Sequence, residues 1–329
     1  MDTTLPDALA GLLDGLPQGR AAQAVDRLIA SYRGDTPTDA PVLRDRADVA
    51  AYAAYRMPAT FEAVRSAIDA FRAAAPEWTP ATHTDIGGGT GAASWAVADA
   101  WPEGEHRTTV LDWAEPALEL GRELAASADS PALRGAHWRR ARIGESMGLE
   151  PADLITVSYV LKELDERIRA AVVRQAAAAG RTVLVVEPGT PDGYERIIAA
   201  RNLLVDAGLR VAAPCPHSGE CPIVPGADWC HFAARVSRSS LHRRVKGGSL
   251  PYEDEKFAYV AATRDPAIPA PSRVTRKPQI RKGQVLLELC SADGALHRET
   301  VAKRHGSLYR AARDTSWGAA WPPPDAEDA

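Results

Sequence analysis

"HTDIGGGTGAASWAVADA", residues 83 to 100, decides the fold. A short β-type run from His83 to Ile86 enters the turn "DIGGGTG" (85 to 91), which has four glycines in seven residues, and Ala92 to Ala100 then reads as a helix. Strand, glycine turn and helix in that order open a parallel α/β sheet. Glycine is needed in such a turn because a bound ligand approaches the backbone more closely than a Cβ would allow. The helix N-terminus that follows favours a carboxylate or phosphate.

The alternation continues downstream. Thr108 to Leu111 predicts a second strand ending at Asp112, followed by a helix from about Pro116 to Ala126. "DLITVSYVL" (153 to 161) and "RTVLVVEP" (181 to 188) are apolar runs of the buried-strand type, each followed by a helical stretch. "LRVAAP" (209 to 214) and "FAYVAATR" (257 to 264) close the sheet as an antiparallel pair with a long insertion between them. The predicted class is α/β, a Rossmann-like domain over residues 81 to 264 with an insertion at 214 to 256. Helical spacing of Leu5, Leu9, Leu12, Leu13 and Leu16, and of Phe61, Val64, Ile68 and Phe71, predicts an N-terminal helical cap over residues 1 to 80. Residues 265 to 279 read as a Pro-rich linker, and "QVLLELC" and "ALHRETVAK" around Ser-Ala-Asp-Gly as a hairpin in a small β appendage reaching residue 319. Residues 320 to 329 read as a disordered tail.

Two cofactors fit the turn. Gly87, Gly89 and Ala92 satisfy a relaxed dinucleotide fingerprint, with Asp112 placed for a ribose hydroxyl. Asp85, Gly87, Gly89 and Gly91 complete an acidic-x-Gly-x-Gly-x-Gly pattern suited to S-adenosylmethionine, and a dinucleotide site usually carries an apolar residue where Asp85 sits. S-adenosylmethionine is therefore favoured, with Asp85 directed at the methionine ammonium and Asp112 at the ribose diol. No catalytic residue is assigned. Enzymes that methylate base amines carry Asn/Asp-Pro-Pro-aromatic after the fourth strand; here that place reads Ser158-Tyr159-Val160-Leu161, with no nucleophilic cysteine nearby. Lys162, Glu163 and Glu187 are the polar groups near these strand ends.

With 329 residues and 45% apolar content the chain can bury a full core. Its start, Met-Asp-Thr-Thr-Leu-Pro-Asp, lacks the pattern of a secretory signal, and no apolar run is long enough for a membrane span, so a cytoplasmic protein with reduced thiols and no membrane partner is expected. The net charge of −4 hides an asymmetry: Arg210 to Arg313 holds 18 Lys and Arg against 9 Asp and Glu, a balance of +9, leaving 21 against 34, or −13, elsewhere. Such a split suggests an acidic partner for the basic part, nucleic acid being the commonest.

The cysteines lie in that basic part. Cys215, Cys221 and Cys230 fall within sixteen residues, and Cys290 is the only other cysteine. The paired Cys-x-x-Cys turns of zinc ribbons are absent. Irregular spacing suits an iron–sulfur cluster, while zinc with His217 or His231 as substitute ligands and unligated buried cysteines both remain open. "HFAARVSRSSLHRRVKGG" (231 to 248) predicts a helix whose face carries Arg235, Arg238, His242, Arg243, Arg244 and Lys246. Phosphate backbone is its natural partner. The adjacent aromatics Trp229 and Phe232 could stack on splayed RNA bases, although each taken singly reads as a core residue; the basic helix beside a metal-organised loop is what raises RNA above a generic anionic partner, and no DNA is expected.

Taken together, "YRMPATFEAV" from residue 55, the glycine turn, "EPGTPDGYERI" from 187, "CPHSGECP…DWCHF…R…R…HRRVKGG…EDEKFAYV", "LELC" and "WG" at 317 resemble the methyltransferase-like assembly factors of the mitochondrial small ribosomal subunit and their bacterial homologues. The resemblance implies a class I S-adenosylmethionine methyltransferase-like fold. It also implies a [4Fe–4S] cluster on Cys215, Cys221, Cys230 and Cys290, contact with small-subunit rRNA in a precursor subunit, and a part in subunit assembly, with or without rRNA methylation. The competing reading is a small-molecule methyltransferase with a structural zinc site.

Overall fold

The computed structural model describes residues 4–14, 46–237 and 251–323. One sheet contains β1 (Thr82–Ile86), β2 (Arg107–Asp112), β3 (His137–Arg140), β4 (Ala152–Ser158), β5 (Gly180–Pro188), β6 (Arg210–Ala213), β7 (Phe232–Ser237) and β8 (Tyr252–Thr263). Their order is β3-β2-β1-β4-β5-β8-β6, with β7 paired to β8. The first five strands are parallel, and β8 runs antiparallel to β5, β6 and β7. This is the class I methyltransferase-like sheet, closed as expected by β6 and β8 with the cysteine segment inserted between them. β3 is a strand that the sequence did not reveal, because "HWRR" buries only Trp138.

Helices cover both faces. α1 (Leu5–Asp14), α2 (Arg46–Ala74) and α3 (Ala92–Ala100) precede α4 (Glu115–Ala126), α5 (Pro131–Arg134), α6 (Glu166–Ala179) and α7 (Pro191–Asp206). Along β5, Val183 and Val185 join the core beneath α6 and α7, while Leu184 and Val186 face the core with α2 and α3. Burial on both faces is why these strands read as continuous apolar runs. α2 does not stand apart as a cap: Val64, Ile68 and Phe71 pack in the same core as Phe257 and Tyr259 of β8.

A second sheet combines β9 (Ser272–Val274), β10 (Gln279–Arg281), β11 (Gln284–Ser291), β12 (Leu296–Ala302) and β13 (Ala320–Trp321), with α8 (Ser307–Asp314) against it. The expected hairpin is β11 with β12. β9 lies inside the segment read as a linker, where it pairs with β11 and β13. β13 begins the segment read as a disordered tail; Trp321 is buried there, and its Nε1 donates to Glu299 at 2.9 Å. A short sheet can be completed by distant two-residue strands that carry no sequence pattern of their own. No described helix is long and apolar enough to cross a membrane.

Candidate functional site

The glycine turn sits at the C-terminal end of β1, where ligands bind in open α/β sheets. Gly87, Gly89 and Gly91 all have positive φ (68, 53 and 86°). Their surroundings differ. A Cβ on Gly87 would lie 2.5 Å from Val160, and one on Gly91 2.7 Å from Trp138, so those two glycines admit other parts of this chain. A Cβ on Gly89 would meet only Asp112, at 3.8 Å, which makes Gly89 the open side of the turn. Asp112 is oriented there by two backbone donors, Gly89 N at 2.9 Å to Oδ2 and Ala114 N at 2.8 Å to Oδ1. Burial raises its carboxyl above the ordinary carboxylate value.

Asp85 lies beneath the turn and is completely buried. Ser94 Oγ donates to Oδ2 at 3.1 Å and Thr156 Oγ1 to Oδ1 at 2.8 Å. Both oxygens are thus taken, so Asp85 braces β1 against α3 and β4 rather than presenting a charge to the cleft. Burial lifts its pKa to about 6.

The loop after β4 packs on the turn through Val160. Before it, Tyr159 has φ 59°, the only non-glycine residue with positive φ among the described residues. A bulky side chain in that region is strained and is held by its surroundings. Here Tyr159 Oη donates to Glu255 Oε1 at 3.0 Å, Arg56 Nη2 pairs with the same oxygen at 3.1 Å, and the Arg56 guanidinium carbon lies 5.5 Å from the tyrosine ring centre. Leu161 N donates to Glu187 Oε1 at 3.1 Å, and Arg196 Nε of α7 to Glu187 Oε2 at 2.6 Å. Glu187 is completely buried, so it ties the loop to α7 instead of serving as a free acid.

Cys215, Cys221, Cys230 and Cys290 line one cavity of about 40 Å³, several times the space that one water needs. Cys215 follows β6 and Cys230 precedes β7. Cys290 is on β11, and because neighbours on a strand face opposite ways, Leu289 enters the core of the second sheet while Cys290 faces the cavity. Tyr194 and Arg201 of α7, Tyr259 of β8 and Arg273 of β9 are the polar side chains of note in a wall that is otherwise largely apolar. Tyr194 Oη is 3.3 Å from Cys221 Sγ, and His217 Nε2 is 3.6 Å from Cys290 Sγ. Burial pushes the thiols of Cys215 and Cys230 up and that of Cys290 up to about 12.

The two arginines carry the electrostatics. Arg201 and Arg273 are 2% and 7% exposed. Arg201 Nη2 donates to the carbonyls of His217 (3.0 Å) and Gly219 (2.6 Å); Arg273 donates through Nε to Pro214 O (2.9 Å) and through Nη1 to Gly318 O (3.0 Å). Neither has a carboxylate partner among the described residues. Arg201 Nε, His217 Nδ1, His231 Nδ1 and Trp317 Nε1 are buried without a hydrogen-bond partner among the described residues. Buried cations need anions. Among the described residues no group of three His, Cys, Asp or Glu side chains is placed to hold a metal ion.

The helix expected over 231 to 248 is corrected for its first part: residues 232–237 form β7, whose side chains alternate buried and exposed. Arg235 is on the exposed side, with Nε 3.1 Å from Asp254 Oδ1 and its guanidinium carbon 4.1 Å from the Tyr252 ring centre. Arg238, His242, Arg243, Arg244 and Lys246 lie outside the described residues. Phe232 is buried among Phe257 and Tyr259, and Trp229 stacks on His231 and donates Nε1 to Gly189 O at 3.1 Å. Both rings are thus engaged within the protein rather than offered to bases. Arg201 and Arg273 were missed in the sequence. For Arg201 the signal was its place four residues after Ile197, on the buried face of α7.

The family described as mitochondrial small ribosomal subunit Rsm22 matches residues 46–322. This chain belongs to the Rsm22 family. Within known relatives, the human mitochondrial ribosome assembly protein METTL17 is 28% identical over 310 residues, covering 84% of this chain and 65% of that protein. The mitochondrial Rsm22-cox11 tandem protein 2 of Schizosaccharomyces pombe is 26% identical over 185 residues, covering 44% of this chain and 25% of that protein. This Rsm22 family chain therefore spans less than two thirds of either relative. Both are named as mitochondrial, which differs from the cytoplasmic location expected from the sequence. Among solved structures, magnesium protoporphyrin IX methyltransferase of Synechocystis PCC 6803 with bound SAM is similar at 13% identity and a TM-score of 0.42, covering 73% of this chain and 90% of that one.

Proposed function

We propose that this Rsm22 family protein acts in assembly of the small ribosomal subunit, binding S-adenosylmethionine in its cleft and a [4Fe–4S] cluster in its cysteine lobe, and contacting small-subunit rRNA. The observation that carries this reading is the meeting of three cysteines from one segment with the distant Cys290 around one cavity, beside two buried arginines that lack carboxylates among the described residues. Four thiolates on a cluster supply the negative charge that Arg201 and Arg273 need, and a cubane needs the open space that a single ion would close. Cys215, Cys221, Cys230 and Cys290 would hold it, with Tyr194 and His217 donating to sulfur. The compartment is whichever one builds the small subunit.

In the cleft, Gly89 is the point of close approach and Asp112 the acceptor for a ribose diol, while Asp85 supports the turn from below. When bound, S-adenosylmethionine supplies an activated methyl group. The place where a base-amine acceptor motif would stand is held by Tyr159, whose hydroxyl is committed to Glu255, so the reading rests on binding and not on turnover. The test is iron, acid-labile sulfide and zinc analysis of protein purified without oxygen, with its affinity for a small-subunit rRNA transcript. About four irons and four sulfides per chain, together with rRNA binding, are expected. One zinc without sulfide sinks the cluster, and an affinity for rRNA no better than for any polyanion sinks the ribosomal role.

A further inference from the structure

Two stretches of the C-terminal part contain no acidic residue. Residues 276 to 287 hold Arg276, Lys277, Arg281 and Lys282, and residues 300 to 313 hold Lys303, Arg304, Arg310 and Arg313 together with His305. They are far apart in sequence, but the second sheet brings them to one end. Arg281 is in register with Gln284 of β11, and Gln284 with Ala302 of β12. Lys303 N donates to Gly283 O at 2.9 Å, which joins the Lys282–Gly283 turn to the turn that begins α8. Arg281, Lys282, Lys303, Arg304 and Arg310 are all exposed there. Farther along the same sheet Arg298 pairs with Glu288 and Arg276 with Asp228.

We infer that this basic tip of the C-terminal sheet is a second RNA-backbone contact, distinct in sequence from the basic segment that follows Cys230. The inference rests on the rRNA reading above and locates a surface that reading does not. Like charges gathered on a rigid turn repel one another, and phosphates relieve that repulsion while releasing counterions. The tip is at the Gln284 end of β11 and the cavity at the Cys290 end, six residues or about 20 Å away. A contact at the tip, added to one made elsewhere on the protein, would hold one RNA with an affinity above that of either alone. A membrane surface fits less well. The apolar side of α8, with Leu308, Tyr309 and Ala312, is packed against the sheet, which leaves Ile280 as the exposed aliphatic side chain at the tip.

The experiment compares the intact protein with Lys282→Ala/Lys303→Ala/Arg304→Ala, titrating each into a labelled small-subunit rRNA transcript at several salt concentrations. The expected result is at least a tenfold loss of affinity near 100 mM salt and a slope of log affinity against log salt shallower by about 2 to 3. Iron content and melting temperature should not change, since these side chains are exposed and distant from the cavity. If wild type binds and the variant matches it in affinity and slope, the tip is only a solvated surface and the rRNA reading survives. If the variant keeps RNA but loses binding to phosphatidylglycerol vesicles, the partner is a membrane and the inference is overturned. If wild type itself does not bind the transcript, both readings fall.

Discussion

Around the cleft, Asp85, Asp112 and Glu187 have both carboxylate oxygens engaged by donors of this chain, whereas in the cysteine lobe Arg201 Nε, His217 Nδ1 and His231 Nδ1 are buried with no partner among the described residues. The contrast is local: Trp95 Nε1 and both His106 ring nitrogens are also unpartnered, but elsewhere in the first domain. A region whose polar groups are satisfied internally folds to its final geometry alone, and a ligand adds to it. A region with unpaired buried cations and thiols is complete only when something anionic fills it. The cleft is thus a preformed site, and if the cysteine lobe holds the proposed cluster its folding and loading would be a single event.

The largest effect should come from emptying the lobe. Cys290→Ser is expected to remove iron and sulfide together and to open the segment from Cys215 to His231 to protease, while the main sheet stays resistant; mass mapping of the cuts checks this. A uniformly resistant protein would mean that the lobe is as self-sufficient as the cleft. Next, Arg201→Met should destabilise the loaded protein by about 3 kcal/mol, yet be neutral or stabilising in protein stripped of iron, because the buried charge has a counter-charge only in the first state. Denaturant melts of both forms read the sign, and the same sign in both would break the contrast.

Glu187→Gln should cost about 3 kcal/mol whether or not the lobe is loaded, since its partner Arg196 is supplied by the chain. Asp85 gives a pH signature. Its folded value of about 6 lies above the ordinary 3.8, so the folded state favours the protonated form; stability is present below pH 3.8 and is lost as pH rises through 6, by about 3 kcal/mol in total. Asp85→Asn should therefore flatten the stability profile across that window and leave S-adenosylmethionine affinity, measured by calorimetry, within about threefold. A much larger loss would show that Asp85 contacts the cofactor after all. Tyr159→Phe should have the smallest effect, about 1 kcal/mol, from loss of the bond to Glu255.

The parallel sheet was legible because buried strands leave apolar runs and glycine turns leave their own mark. The candidate residues were legible as types: Asp112 and all four cysteines stand where the pattern directed attention. The roles of Gly87, Gly91 and Asp85 were not, because each depends on a neighbour from another element, Val160, Trp138 and Thr156. The basic segment misled over 232 to 237, where arginine and valine at alternate positions fit a strand as well as a helix.

By itself the sequence determined the alternation of the main parallel strands β1, β2, β4 and β5 with helices, the excess of positive charge in the C-terminal third and the supply of four thiols. These follow from local spacing and composition, which act before any contact is made. Only the tertiary structure decided that Cys290 meets the other three across fifty-nine residues, that Arg201 and Arg273 face them, and that two acid-free stretches share one end of a sheet. Such pairings come from chain crossing and strand register, where burial of the two sheets' cores selects one arrangement from the many that the local pattern allows.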